Sequence, residues 1–270
     1  MLIIVFIIAL IMGSFFNVVI LRYPEMLKQF FVKECANFLP CFNDFIPNAL
    51  KNERINLIYP CSYCPNCKKN LKWFHLVPVF SYLFLKGHCG FCHAPISYLY
   101  PIVEILTGIL TVLVFLHFGI ELKTIAGIIF TWILILVTCI DIRTLLIPDT
   151  LSLSLLWLGL LFNLTHLFTS LNQAVIGAIV GYVFLFTIAK IFYWVRHQQG
   201  MGEGDFKLFA ALGAWFGCSW LLIILLIAIM LSFMASIIMM CIRREFNLSM
   251  AIPFAPFLSV SGMVLLFRHI

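Results

Sequence analysis

Long apolar stretches broken by short polar joints dominate the chain. Runs near 2–21, 99–118, 123–142, 150–168, 173–194, 219–241 and 252–268 carry almost no charge, and a helix needs roughly 20 apolar residues to cross a bilayer. Residues 206–218 are a shorter apolar piece holding Gly213 and Gly217, either a short span or a re-entrant segment. Counted as a span, it brings the total to about eight helices. Helices are the expected form because lipid offers the backbone no hydrogen-bond partners. The pattern therefore predicts an all-α polytopic membrane protein with one polar insert between its first and second helices. By polarity the chain divides into a first transmembrane helix (1–22), the insert (23–98) and a membrane core (99–270).

Composition agrees. Hydrophobic residues make up 63% of the chain and charged residues 10%, with a mean hydropathy of +1.10, far from a soluble domain. The first apolar stretch lacks a basic leader and runs on through Gly13-Ser14-Phe15-Phe16-Asn17 without a small-residue cleavage site. It is expected to be a permanent helix and not a signal peptide.

Charge changes the picture by giving it a direction. In the eight-span arrangement fifteen of the seventeen basic residues fall on one side; only Lys123 and Arg268 fall on the other. The positive-inside rule then puts the insert in the cytoplasm and the N-terminus outside. The same distribution favours 206–218 crossing, since otherwise Arg243 and Arg244 would lie outside. The net charge of +6 is explained by these topological markers and by anionic lipid headgroups; it needs no nucleic-acid partner. The 28 phenylalanines are expected to face lipid and core, and the seven histidines show no metal-binding spacing.

Acids at membrane-helix ends are costly and ask for a function. Asp141 opens Asp141-Ile142-Arg143-Thr144-Leu145-Leu146-Ile147-Pro148-Asp149, and Asp205 closes Gly200-Met201-Gly202-Glu203-Gly204-Asp205. The topology places both at one depth on the cytoplasmic side. Two carboxylates that approach each other cannot both ionise cheaply, so one serves as acid and the other as base. The plainer alternatives are a pairing of Asp141 with Arg143 and helix capping by Asp205. Asp149 is expected to be an N-cap, and Lys207 a topological cation with a lesser claim on holding a carboxylate ionised. The glycines at 200, 202 and 204 would let an extended substrate lie alongside. Glu104, inside the second span, is expected to meet a helix-end base or to make a backbone hydrogen bond.

The insert holds seven of the ten cysteines. Cys64-Pro65-Asn66-Cys67 and Cys89-Gly90-Phe91-Cys92 are two knuckles twenty-one residues apart, the pattern of a tetrahedral four-sulfur structural zinc site. A cytoplasmic location disfavours disulfides. Cys61 forms an overlapping pair with Cys64 and ranks below Cys67 as a ligand, because only the 64/67 choice leaves two similar knuckles. Cys35 and Cys41 are unassigned, and Cys139, Cys218 and Cys241 read as small buried apolar residues. Four sulfur ligands leave no open position for water, so the metal is expected to be structural and not catalytic.

These pieces together resemble one family, the bacterial type IV prepilin peptidases, also called leader peptidase/N-methyltransferases. The resemblance rests on Gly13 to Ile20, the two knuckles, Pro78-Val79-Phe80-Ser81-Tyr82, Gly87-His88-Cys89, Ile96 to Glu104, Asp141 to Asp149, and Gly202-Glu203-Gly204-Asp205-Phe206-Lys207-Leu208. It implies an aspartyl endopeptidase of the bacterial inner membrane that removes the short basic leader of prepilins and pseudopilins, including those of type II secretion. S-adenosylmethionine-dependent methylation of the new N-terminus would follow, with Glu104 a candidate for methylation or substrate binding. By the same resemblance Asp141 and Asp205 are the catalytic pair, and Cys64, Cys67, Cys89 and Cys92 bind zinc. No glycine-rich nucleotide fingerprint locates the S-adenosylmethionine site. Where the family commonly reads Trp-Tyr-Asp-Asn-Ile-Pro, this chain has Trp73-Phe74-His75-Leu76-Val77-Pro78; a peptidase that does not methylate is the matching alternative. From other classes, an ion-coupled transporter would place its acids at the membrane midplane, and a zinc-bearing scaffold would tolerate losing both aspartates.

Overall fold

The computed structural model of the chain describes residues 1–38, 55–198, 200–243 and 252–268. Cys41 and the charge markers Lys51, Arg54 and Arg244 lie outside the described residues. The described residues form helices α1 (Leu2–Phe38), α2 (Phe80–Phe84), α3 (Leu99–Phe118), α4 (Leu122–Thr144), α5 (Asp149–Asn163), α6 (Leu171–Arg196), α7 (Glu203–Phe216), α8 (Cys218–Arg243) and α9 (Ala255–Arg268), with a 3₁₀ turn at Trp73–Leu76. Five of them, α1, α3, α4, α6 and α8, are long and apolar enough to cross a membrane, while Asp149–Asn163 and Ala255–Arg268 are shorter apolar helices. The chain divides into two compact units, residues 1–113 and 114–270.

In the first unit the opening helix runs well past the boundary expected at residue 22. It spans 37 residues and carries Pro24 in its interior. Proline removes one helical hydrogen bond, but Glu25, Met26, Leu27, Lys28 and Gln29 are all good helix formers. An i,i+3 ion pair, Lys28 Nζ to Glu25 Oε1 at 3.0 Å, sits on this extension. Glycines bring α1 and α3 together: a Cβ on Gly13 would stand 2.7 Å from Glu104 Cα, and one on Gly108 would stand 2.6 Å from the Phe6 ring.

The second unit is built around α7. All its residues from Leu208 to Phe216 are buried, and α5, α6, α8 and α9 pack against it. This is the apolar piece expected at 206–218. At 14 residues it is about 21 Å long, short of the roughly 30 Å hydrocarbon core, and it is the centre of the unit. Trp215 is wholly buried, with the rings of Phe130, Phe168 and Phe162 at 4.7, 5.6 and 5.7 Å, and its indole N–H donates to Leu155 O at 2.8 Å.

Two features of this packing carry predictions. A Cβ on Gly213 would overlap the Gly177 backbone, and the reverse holds at Gly177, so α6 and α7 touch main chain to main chain as small residues allow in membranes. Gly213→Val is expected to cost about 1–3 kcal/mol or more, measured as an earlier loss of folded protein in a detergent thermal-stability assay. Asn163 is the second. It stops α5 five residues before the end expected at 168, because its side chain serves four backbone groups. Its Nδ2 donates to Ala214 O (2.8 Å) and Trp215 O (3.0 Å). Its Oδ1 accepts from the Phe168 and Thr169 amides at 3.0 and 3.1 Å. Asn163→Leu leaves all four backbone groups, three of them in buried bonds, without that partner and should destabilise the unit by about 3 kcal/mol or more; a melting temperature equal to wild type would refute this role.

Candidate active site and metal centre

Asp141 lies in the last turn of α4, and both it and the α7 residue Asp205 are buried, at 4% and 8% exposure. The α4 helix stops just after Asp141, where the Leu145 amide bonds back to Asp141 O and Leu145 adopts a left-handed conformation. The Asp141 side chain is held from another direction: its Oδ2 accepts from the Ala255 amide at 3.1 Å. Ala255 is the first residue of α9, so this carboxylate faces the positive end of a helix dipole.

Asp205 is not the N-cap of its helix. Gly202 holds that position, and Glu203 and Asp205 both lie in the first turn, where negative charge again meets a favourable dipole. Asp205 lies within electrostatic reach of Asp141, and the Gly202 backbone amide interacts with its carboxylate. Its Oδ1 is buried without any hydrogen-bond partner; among the described residues only Ser259 Oγ shares that condition. A buried carboxylate oxygen left free by its own protein is available to water or substrate.

The glycine run is used differently from the expectation. A Cβ on Gly204 would stand 2.6 Å from Ile147 Cβ, and one on Gly200 would stand 2.7 Å from the Phe192 ring. Those two glycines admit the chain's own side chains. Only Gly202 leaves room, with Asp205 Oδ2 at 3.6 Å as its sole neighbour within 4 Å.

Around the pair the other charges resolve. Among the described residues the ion pairs are Lys28–Glu25 and Lys207–Asp149, so Arg143 does not neutralise Asp141. Lys207 Nζ bonds Asp149 Oδ1 at 2.6 Å, with the lysine side chain 22% and the aspartate 59% exposed. Asp149 is the first residue of α5, and Pro148 takes the N-cap position expected for it. An exposed pair is worth about 0–1 kcal/mol. Lys207→Met should therefore keep the fold, as a thermal-stability comparison with wild type would show; a shift beyond that range would contradict it.

In the other unit Glu104 finds the backbone partner anticipated as one alternative. Its Oε2 accepts from the Val79 amide at 2.7 Å, and Asn17 Nδ2 reaches its Oε1 at 3.5 Å and Tyr100 O at 3.1 Å. Asn17 and Asn163 were not singled out by sequence; a lone amide in an apolar helix was the available signal.

The structure brings Cys64, Cys67, Cys89 and Cys92 together, with ligand atoms all within 4.8 Å of one another. The two knuckles repeat one backbone plan. In the first, the Cys64 amide bonds Lys69 O and the Lys68 amide bonds Cys64 O. In the second, the Cys89 amide bonds Ala94 O and the His93 amide bonds Cys89 O. Lys68 and His93 both take positive φ. The Cys64 and Cys92 sulfurs are 3.8 Å apart, the edge of a tetrahedron with metal–sulfur bonds of about 2.3 Å. The Cys67 and Asn66 backbone amides beside Cys64 hold its thiol below its ordinary pKa. At Cys67 the lowering by the Lys69 backbone amide is outweighed by burial and the neighbouring Cys64 and Cys92 sulfurs, which push it up to about 11, so the thiolates a metal needs form together with its binding. The four residues fit a structural zinc ion, and Cys61 stands exposed outside the group. His75, at the position where the chain departs from the common pattern, stacks edge-on with Phe91 at 5.4 Å and limits the space at Gly90.

Known proteins match nearly the whole length of the chain. Residues 7–118 match the bacterial peptidase A24 N-terminal domain, and residues 128–239 match the type IV leader peptidase family. A prepilin leader peptidase/N-methyltransferase of Aeromonas salmonicida is 41% identical over 262 residues, covering 97% of this chain and 89% of the relative. Proteins of the same name from Neisseria gonorrhoeae and Burkholderia pseudomallei are each 39% identical, over 96% and 97% of this chain and 87% and 83% of their own lengths. No solved structure matches. The chain belongs to the type IV leader peptidase family, among enzymes named as prepilin leader peptidases and N-methyltransferases.

Proposed function

We propose that this chain is a membrane aspartyl endopeptidase that cleaves the short basic leader of type IV prepilins and pseudopilins at the cytoplasmic membrane face. Methylation of the new N-terminal residue from S-adenosylmethionine follows in the same protein. The observation that carries the peptidase reading is the pair itself: Asp141 tethered by the Ala255 amide, and Asp205 with a free buried oxygen within its electrostatic reach. In the working state the pair shares one proton. The protonated carboxyl hydrogen-bonds to the scissile carbonyl, and the ionised one takes a proton from the attacking water, whose oxygen forms the new bond to carbon. The leaving amine then receives a proton, and the peptide bond breaks.

The topology that goes with this reading has about eight membrane segments, the N-terminus outside and the zinc-bearing insert in the cytoplasm. Residues 99–270 carry the dyad. Zinc on Cys64, Cys67, Cys89 and Cys92 supplies a rigid framework and no chemistry. Five helices already meet the length and apolarity of spans, and α5, α7 and α9 complete the bundle as shorter segments.

The test uses membranes holding wild type, Asp141→Asn or Asp205→Asn, a prepilin substrate and labelled S-adenosylmethionine. Wild type should cut and then label the trimmed pilin, while each variant should leave the leader in place. Near-normal cutting by either variant would remove the dyad mechanism and return the transporter and scaffold readings.

A further inference from the structure

We propose that Leu76–Phe84 is an interfacial segment embedded in the membrane, its partner being the boundary between phospholipid headgroups and acyl chains. The segment belongs to the polar insert by sequence, yet two hydrogen bonds fix it at membrane depth. The Val79 amide bonds Glu104 Oε2 at 2.7 Å, five residues inside the span Leu99–Phe118, about 7 Å along the helix. Ser14 Oγ donates to Leu76 O at 3.4 Å. Ser14 precedes Arg22, the first charged side chain of α1, by about 12 Å of helix. Both tethers lie within residues 1–113, one compact unit.

At that depth irregular backbone needs hydrogen-bond partners for its polar groups, and several of the segment's amides have them. The amides of Phe80, Ser81, Leu83 and Leu85 bond Pro78 O, Val77 O, Val79 O and Ser81 O. Val79 itself sits at φ 58°, ψ −50°, the rare strained γ-turn that a β-branched residue avoids unless its surroundings impose it. The Glu104 carboxylate is what holds it there.

The side chains complete the case. Phe80, Leu83 and Phe84 are 57%, 64% and 85% exposed at i, i+3 and i+4, one face of the short α2. Beside them Phe74, Val77, Phe80, Phe84 and Leu85 line a mostly apolar groove of about 370 Å³, with His75 and Ser81 as its two polar members. No acidic or basic residue other than His75 occurs between Lys72 and Lys86, and a lysine at each end suits anionic headgroups. An apolar face between two cationic ends, tied to spanning helices on both sides, matches an interfacial element.

The full-length protein in vesicles of phosphatidylethanolamine and phosphatidylglycerol provides the test. The photo-reactive residue p-benzoylphenylalanine is placed at Phe84, at Ile109 on α3 as a lipid-facing reference, and at His93 as a reference on the exposed second knuckle. After irradiation, mass spectrometry should find phospholipid adducts at Phe84 near the Ile109 level and at least about tenfold above His93. A Phe84 yield as low as that of His93 would overturn the proposal. So would adducts chiefly to a second copy of the chain or to added prepilin, which would make this face a protein-docking surface.

Discussion

Asp205→Asn is expected to lower leader cleavage by about 10²–10⁴-fold, the range for losing a positioned acid or base. The substitution should cost little stability, because Asn is nearly isosteric and Asp205 Oδ1 has no protein partner to lose. Asp141→Asn should be equally damaging to cleavage and also tolerated by the fold, since an amide oxygen can still accept from Ala255. The double variant should fall no further than either single one, because the two act as a unit. A pair that works with one shared proton also predicts a bell-shaped pH profile for wild-type cleavage, whose two limbs belong to the pair and not to either residue. Losses that multiply in the double variant would point to two independent roles.

The second large effect concerns the metal. Wild-type protein should carry one zinc per chain, and Cys64→Ser or Cys89→Ser should lose most of it. Structural zinc contributes about 10–16 kcal/mol to small zinc-finger folds, more than the sparse core of residues 55–98 could replace. The knuckles should then become sensitive to added protease, while Cys61→Ser keeps both metal and resistance. Elemental analysis with limited proteolysis checks this. Full zinc in Cys89→Ser, or its loss in Cys61→Ser, would reassign the ligands.

Much of the fold was legible because the bilayer imposes a length. The helices Leu99–Phe118, Leu122–Thr144, Leu171–Arg196 and Cys218–Arg243 fall within a few residues of the apolar runs. Two boundaries depart from the apolar runs. Asn163 ends α5 through four hydrogen bonds to groups elsewhere in the unit, and α1 continues through Pro24 because the next residues sustain it. Neither outcome follows from hydropathy. Gly200 and Gly204 pose a similar problem: small residues permit both substrate entry and close packing, and the positions of Phe192 and Ile147 show the close packing at these two.

By itself the sequence determined the membrane class, the four cysteines and the two aspartates worth testing. Each of these is a local signal: apolar length, a ligand spacing, an acid where acids are costly. The tertiary structure alone decided that α7 is a buried centre and that the Ala255 amide holds Asp141. It also decided that Lys207 pairs with Asp149, leaving one oxygen of Asp205 free. Those facts join residues tens of positions apart. They depend on which helices pack and in what rotation, which no local pattern encodes.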